Sequence, residues 1–411
     1  MNKDDLFYNA ALDIAQRKMM TQEVPGVLTV PRIGTGGNFI NLFLWDTAFS
    51  MHWAKYHTDR FPAYETMDNF YRVQTPDGCI SRETMPNGIS RWQLEHPIAF
   101  APPLLPWAEL GLYEINQNLK RLKEVYPALK KQHIFNSKTY RRHDSLFFSD
   151  MLGSGMDDMP RWDDISQVTP KGGILFTDKI TQEPEPLASK TLNWLHSEYG
   201  DRLSWNRQLG WCDTSCQMAF SALTLSRIAS ILDLKEDSVS FQSQHDAIAD
   251  AVNELCYDEK SRFYYDRLDS GLLHRAHAGA FWALIAEVAP EDRALYLMDA
   301  LEDPKRFNCP CGVPGISVSD PEFLCSKAYW RGPVWSPINY MVLCGLRAYG
   351  NMDLATRIAS KLYKAVYQVW QQTGTIWETY DPMVPRGRNQ KDFCGWSALL
   401  ATTVPREFLA D

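Results

Sequence analysis

Apolar residues recur at helical spacing in long stretches through most of this chain, and that pattern constrains its fold more than any other feature. In the first stretch, residues 3–20, Leu6, Ala10, Leu12 and Ile14 supply the apolar positions of a helix. Further helices are predicted near 43–57, 61–73, 97–113, 118–130, 211–232, 241–256, 276–287, 291–301, 334–349, 352–372 and 392–402. Several open on residues suited to capping, among them Asp213 and Asn351. Strand signals are few: residues 262–267 and 271–273 suit a short hairpin. No GxGxxG follows a strand and no βαβ alternation appears, which argues against a doubly wound sheet. The chain therefore reads as all-α, built of helical hairpins that either close into a ring or stack as a solenoid. The absence of a fixed repeat of about 34 or 40 residues argues against the solenoid.

With 411 residues the chain has length for one large domain or two average ones. A formal charge of −8 leaves no basic groove, so no nucleic-acid partner is expected. Neither a lysine-rich amphipathic segment nor a run of about 18 apolar residues is present, and no membrane association is expected. The opening MNKDDLFYNAALDIAQRKMM lacks the apolar core of a signal peptide. Of nine cysteines, only Cys212/Cys216 and Cys309/Cys311 are close pairs; neither is CxxC, so no zinc site is expected. Reduced thiols and a cytoplasmic location fit this usage.

Residues 149–190 form the longest poorly periodic stretch, and 302–333 and 373–391 share its character. Long irregular segments in a compact chain are where function concentrates. Four motifs in or near them combine acids and aromatics. In the segment 37–47, Trp45-Asp46 opens a helix; taken alone, Asp46 reads as a cap or a dipole-favoured acid. In 154–163, Asp157, Asp158 and Asp163 sit among Gly, Met, Pro, Arg161 and Trp162. A solvated acidic loop or calcium ligands would account for them, but a carboxyl beside Met and Trp also has its pKa raised toward that of a working acid. In 329–335, Arg331 lies between Trp330 and Trp335, suited to clamping a hydroxyl or to pairing with a buried acid. In 376–382, Glu378 stands between Trp377 and Tyr380, where burial is costly unless the group is paired or working. Two carboxyls, one to protonate a leaving oxygen and one to activate water or attack, are what glycoside hydrolysis needs, with aromatics shaping a sugar pocket. GTGG at 34–37 lacks the Lys-Ser/Thr of a phosphate loop and reads as loop geometry. Asp213 and Gln217 share a helix face and read as structural.

These motifs are familiar as a set. The chain resembles glycoside hydrolase family 63, which holds processing α-glucosidases and bacterial mannosylglycerate and glucosylglycerate hydrolases, and it is similar to the family 37 trehalases. The resemblance spans nearly the whole chain and rests on GGNFINLFLWDTAF, DGCISRE, SGMDDMPRW, YWRGPVW and WETYDP, with YDEKSRFYYD and FCGWSALL beside them. It implies a single (α/α)6 barrel over 1–411 with its site at one mouth, Asp157 as general acid, Glu378 as general base and inversion of configuration. It also implies that Asp46 grips the nonreducing sugar and that Trp45, Arg161, Trp330 and Arg331 line the pocket; Phe43, Arg82, Trp162, Trp335, Trp377 and Tyr380, in the same motifs, are further candidates for substrate contact. Ser81 and Met159 depart from the family pattern, as does Ala101 before Pro102-Pro103, where relatives carry Gln or Ser. Glu95 and His96 are nearby, and His96 is a candidate replacement for the missing amide, with a structural histidine the alternative.

The expected substrate is a small α-glucoside. Trehalose or a mannosyl- or glucosylglycerate is the alternative, the glycerates needing a cation such as Arg82, Arg161 or Arg331. No organic cofactor is called for, and the acidic loops are compatible with calcium. Readings of another class are a sugar epimerase or isomerase on the same barrel, for which the motifs hold few histidines, and a non-catalytic helical scaffold.

Overall fold

The computed structural model describes residues 3–91, 101–149, 153–161, 209–324 and 329–410. Glu95, His96, Trp162 and most of the 149–190 segment lie outside the described residues. Helices α1 (Lys3–Arg17), α2 (Leu44–Ala54), α3 (Ala63–Arg72), α4 (Leu105–Asn116), α5 (Leu119–Thr139), α6 (Cys212–Ile231) and α7 (Lys235–Leu255) are followed by a 3₁₀ turn (Ala278–Phe281) that runs into α8 (Trp282–Ile285). Then come α9 (Glu291–Glu302), α10 (Ser336–Ala348), α11 (Met352–Thr373), α12 (Ala398–Ala401) and α13 (Thr403–Phe408).

The even-numbered helices through α12 form a closed ring: α2 packs on α4, α4 on α6, α6 on α8, α8 on α10, α10 on α12, and α12 returns to α2. Outside it, α1 lies against α12, α3 against α2, α5 against α4 and α6, α7 against α6, and α11 against α10 and α12. This is the (α/α)6 arrangement, and the sequence explains the two layers. Helices that are apolar all round belong inside: every residue of α2, α8 and α12 is buried, as are 212–226 of α6 and 336–346 of α10. The outer helices carry a single stripe. In α11 it is Leu354, Ala355, Ile358, Ala359, Leu362, Ala365, Val366 and Val369. Asn351 caps α11, its side chain accepting the Leu354 N–H at 3.1 Å. Asp213, also expected as a cap, instead lies inside the first turn of α6, and the cap position is Trp211.

Short antiparallel sheets join the helices. β1 (Leu42–Phe43) pairs with β2 (Glu83–Thr84), and β2 with β3 (Ser90–Arg91). β4 (Leu209–Gly210) pairs with β7 (Asp266–Leu268), and β7 with β8 (Gly271–Leu273). β5 (Tyr257–Asp258) pairs with β6 (Phe263–Tyr264), while β10 (Trp377–Tyr380) lies between β9 (Val334–Trp335) and β11 (Gly387–Lys391). The hairpin expected around 262–273 is thus the β7–β8 pair, with β6 turned to β5 instead. β1, β4 and β9 lead directly into α2, α6 and α10, so three inner helices start from a hydrogen-bonded strand. Every cysteine among the described residues is a free thiol. Among the described residues no helix is long and apolar enough to cross a membrane.

Candidate active site

A cavity of about 410 Å³ opens where the segments preceding α2, α4, α6, α10 and α12 meet. Four of its walls carry acids: Asp46, Glu83, Asp157 and Glu378. Aromatic surface comes from Phe39, Phe43, Trp45, Tyr329, Trp330, Trp335, Phe393 and Trp396, and Arg82 lines it as well.

Asp46 occupies the first turn of α2, where the helix dipole favours an anion. Burial outweighs that. The Asp46 carboxyl is pushed well above the usual carboxylate range, first by desolvation and then by repulsion from Glu378 and Asp157. All three carboxyls line the same cavity. A protonated Asp46 can donate to a sugar oxygen and accept from a hydroxyl.

Asp157 sits in a turn whose alternation is informative. Gly155 and Asp157 are partly exposed, whereas Ser154, Met156, Asp158, Met159 and Arg161 are buried. Of the two acids in the described part of this loop, Asp157 is the one that reaches the cavity and the more accessible. Gly155 has φ +79° and lies flat on the indole of Trp45; a Cβ there would meet the ring at 3.0 Å. Only glycine lets this loop approach so closely.

Glu378 is 2% exposed and stands on β10 opposite an irregularity in the β10–β11 register, between Trp377 and Thr379. Bulges commonly re-aim side chains beside sites. Here the extra residue is on β11, and Glu378 Oε2 accepts the Gln390 N–H at 3.2 Å. Oε1 accepts the hydroxyl of Tyr329. Burial raises the Glu378 pKa, while these two donors pull it back. The deprotonated form is the one that accepts both hydrogen bonds, so they favour a proton acceptor. The indole of Trp396 donates to the Glu378 carbonyl at 3.1 Å, fixing the strand from behind. Trp330 and Trp335 stack in parallel at 3.6 Å and form a rigid apolar wall.

Replacing Tyr329 by Phe removes one donor to the Glu378 carboxylate. If Glu378 works as a base, its protonation sets the acid limb of the activity profile, which should then move to higher pH while the alkaline limb stays in place. A kcat/KM profile for Tyr329→Phe superimposable on wild type would show that this hydrogen bond does not tune Glu378.

The structure brings Phe43, Trp45, Asp46, Arg82, Asp157, Trp330, Trp335 and Glu378 to the cavity. It does not bring Arg161, Arg331, Trp377 or Tyr380 there, which corrects the expectation that they contact substrate. Arg161 is 1% exposed; it pairs with Asp213 through both terminal nitrogens and with Asp266 at 3.1 Å, and it lies over the ring of Trp211. The structural reading of Asp213 therefore has its reason in this pair. Arg331 turns to the Asp158 carbonyl at 2.6 Å and to Glu322 at 3.0 Å. The Trp377 indole lies against Gly387 and donates to Thr373. The Tyr380 hydroxyl is buried, accepting the Trp377 N–H at 3.1 Å.

Residues missing from the sequence expectation are Tyr329, Phe393, Trp396, Glu83 and Asn41, whose amide donates to Glu83. Tyr329 and Trp396 lie inside motifs already singled out, so the signal was present in YWRGPVW and FCGWSALL. Among the described residues, the one cluster with metal-ligand spacing is His143, Asp144 and Asp269. It is outside the cavity lining, and Arg142 already pairs with both acids, at 3.0 and 2.8 Å.

Residues 40–397 match the family model described as the mannosylglycerate hydrolase MGH1-like glycoside hydrolase domain. A "Probable mannosyl-oligosaccharide glucosidase" of Schizosaccharomyces pombe is 22% identical over 433 residues, covering 91% of this chain and 49% of that protein. The chain thus spans about half the length of that relative. The crystal structure of the GH63 mannosylglycerate hydrolase from Thermus thermophilus in complex with glucose aligns with a TM-score of 0.73 at 22% identity, covering 96% of this chain and 99% of that one. Neutral trehalase Nth1 from Saccharomyces cerevisiae aligns with a TM-score of 0.62 at 15% identity, covering 96% and 79%. Both likenesses are to the barrel fold.

Proposed function

Because the chain belongs to the MGH1-like glycoside hydrolases of family 63, we propose that it cleaves a small α-linked glycoside with inversion, Asp157 acting as general acid and Glu378 as general base. The observation that carries this reading is the convergence of Asp46, Asp157 and Glu378 on one aromatic-walled cavity, with Glu378 held by two donors.

Asp157 gives its proton to the glycosidic oxygen as the C1–O bond breaks. Water enters from the opposite face of the ring, and Glu378 takes the proton that the water loses. One water is consumed, and solvent exchange returns both carboxyls to their starting states. Room for that water implies carboxyls roughly 6.5–9.5 Å apart. Asp46 holds a hydroxyl of the nonreducing sugar, and Trp45, Trp330 and Trp335 offer it apolar faces. Two carboxyls and water suffice for this chemistry, so an organic cofactor is not needed. The described cavity lining holds no histidine for proton abstraction at carbon, which favours hydrolysis over epimerisation.

The sugar is a glucoside in the first reading. A second reading is favoured by Arg82, the one cation among the described residues lining the cavity: an aglycone bearing a carboxylate, such as the glycerate that the Thermus enzyme's name specifies. Initial rates on kojibiose, trehalose, glucosylglycerate and mannosylglycerate separate the two. The first reading expects kojibiose to be hydrolysed best, with trehalose marking the trehalase-like alternative. A preference for the glycerates of tenfold or more, abolished by Arg82→Gln, would establish the second instead.

A further inference from the structure

We propose that Asp158 is a positioning residue that sets the separation of acid from base by strapping the Asp157 loop to the segment that holds Glu378; this rests on the roles proposed above for Asp157 and Glu378. Asp158 is adjacent in sequence to the acid but faces away from the cavity, and it is 3% exposed. Its Oδ2 accepts the N–H of Tyr329 at 3.0 Å and its Oδ1 the N–H of Trp330 at 2.5 Å. Its carbonyl accepts Arg331 Nε at 2.6 Å. Tyr329, gripped by its backbone in this way, sends its hydroxyl to Glu378. A short chain of contacts therefore runs from Asp157 through Asp158 and Tyr329 to Glu378, bridging segments more than 170 residues apart in sequence (171 for Asp158–Tyr329).

A carboxylate is the side chain that suits this task, because each oxygen takes one of two successive N–H groups. In Asp158→Asn one oxygen still accepts, but the amide NH₂ opposes the second N–H. The two sides of the strap do not depend on it equally. Tyr329 keeps a second anchor, its carbonyl accepting the Trp335 indole N–H at 3.0 Å, and Glu378 keeps Gln390. The acid loop keeps Arg331 on the Asp158 carbonyl and, at its far end, Arg161 on Asp213. Asp157 is the chain neighbour of Asp158, whereas Glu378 is reached only through Tyr329; loss of the strap therefore displaces Asp157 more than Glu378, and a displacement of about 1 Å costs on the order of 10²-fold in rate.

The test compares two substrates that differ in their need for the acid. A glycosyl fluoride has a leaving group that departs with little protonation, whereas an ordinary glycoside needs the proton. Wild type, Asp157→Asn, Glu378→Gln and Asp158→Asn are assayed on whichever glycoside of the panel above is turned over fastest and on the matching α-glycosyl fluoride. Asp158→Asn should lose about 10²-fold in kcat on the glycoside and less than about tenfold on the fluoride. Should that variant fail to fold, Arg331→Met removes the bond to the Asp158 carbonyl together with the Glu322 pair while leaving both Asp158 carboxylate bonds in place, and it should show the same selectivity with a smaller loss, about tenfold on the glycoside. Equal losses on both substrates, or none on either, would overturn the role of Asp158. If Asp157→Asn itself loses both substrates equally, the acid assignment fails, and that outcome is distinct because Asp158→Asn is scored against it.

Discussion

Glu378→Gln is expected to lower kcat by about 10²–10⁴-fold, the range that a positioned general base contributes, with KM little changed. The size follows from where the group stands. It is almost fully buried on β10, it faces the same cavity as Asp157, and both its oxygens are hydrogen-bonded in the way a carboxylate requires. The amide has nearly the same shape, so the sugar still binds, but it takes no proton from water at any accessible pH. A glycosyl fluoride does not rescue this variant, because the water attacking C1 needs the base whatever the leaving group. In wild type, burial places the pKa of Glu378 above the ordinary carboxylate value. The working form is the deprotonated one, so activity is present above that raised pKa and is lost as pH falls through it. Kinetics of a folded Glu378→Gln protein within tenfold of wild type would remove Glu378 from the mechanism.

The largest expected effect on stability comes from Asp213→Ala. Arg161, Asp213, Asp266 and His277 form a buried ionic cluster, each at most 1% exposed. His277 Nε2 lies 3.3 Å from Asp266, which also accepts the Cys212 N–H at 2.8 Å. Burial alone would raise the Asp266 pKa; the charge of Arg161 and hydrogen bonds from His277 and the Cys212 N–H hold it below the usual carboxylate value. Removing Asp213 leaves the guanidinium with a single counter-ion that is already shared. Breaking a buried pair by deleting one partner costs about 3–5 kcal/mol. Denaturant unfolding of Asp213→Ala should show a loss of that order, with a lower Tm. Replacing Arg161 and Asp213 together by Met and Leu should recover much of the stability, since apolar isosteres of a buried pair are often neutral. It should not recover full activity, because Arg161 anchors the far end of the loop that carries Asp157. A loss below about 1 kcal/mol for Asp213→Ala would mean that the cluster is not what holds this loop.

The helical layers were legible because each kind of helix has its own signature. All-round apolar stretches such as 44–54 and 336–346 can only be interior, and a single stripe such as that of 352–373 marks the outside. Periodicity left a closed ring standing beside a solenoid, and the six-hairpin ring itself came from the family resemblance, since closure depends on packing of α12 against α2, at opposite ends of the chain. The strands were mostly invisible because two-residue pairings are too short to show a period of two. Glu378 was readable from the cost of burying a charge among aromatics and Asp157 from its Met and Trp neighbours, whereas Asp46 by itself read as a cap and Glu83 was not singled out. The resemblance placed Arg161 in the pocket, whereas its partners Asp213 and Asp266 lie 52 and 105 residues away and no local pattern announces them. Trp377 was misplaced because successive strand residues point to opposite faces: Glu378 looks into the cavity and its neighbour looks out against Gly387. Tyr329 was passed over beside two tryptophans, although its hydroxyl is the group that reaches Glu378.

The most direct test of catalysis by Asp157 and Glu378 across one water-filled gap is the anomeric form of the sugar first released. Proton NMR during the first minutes of hydrolysis of an α-glycoside, before mutarotation mixes the anomers, should show the β anomer accumulating first. An initial α anomer would mean that the sugar passed through two displacements, and that Glu378 does not act by drawing a proton from water.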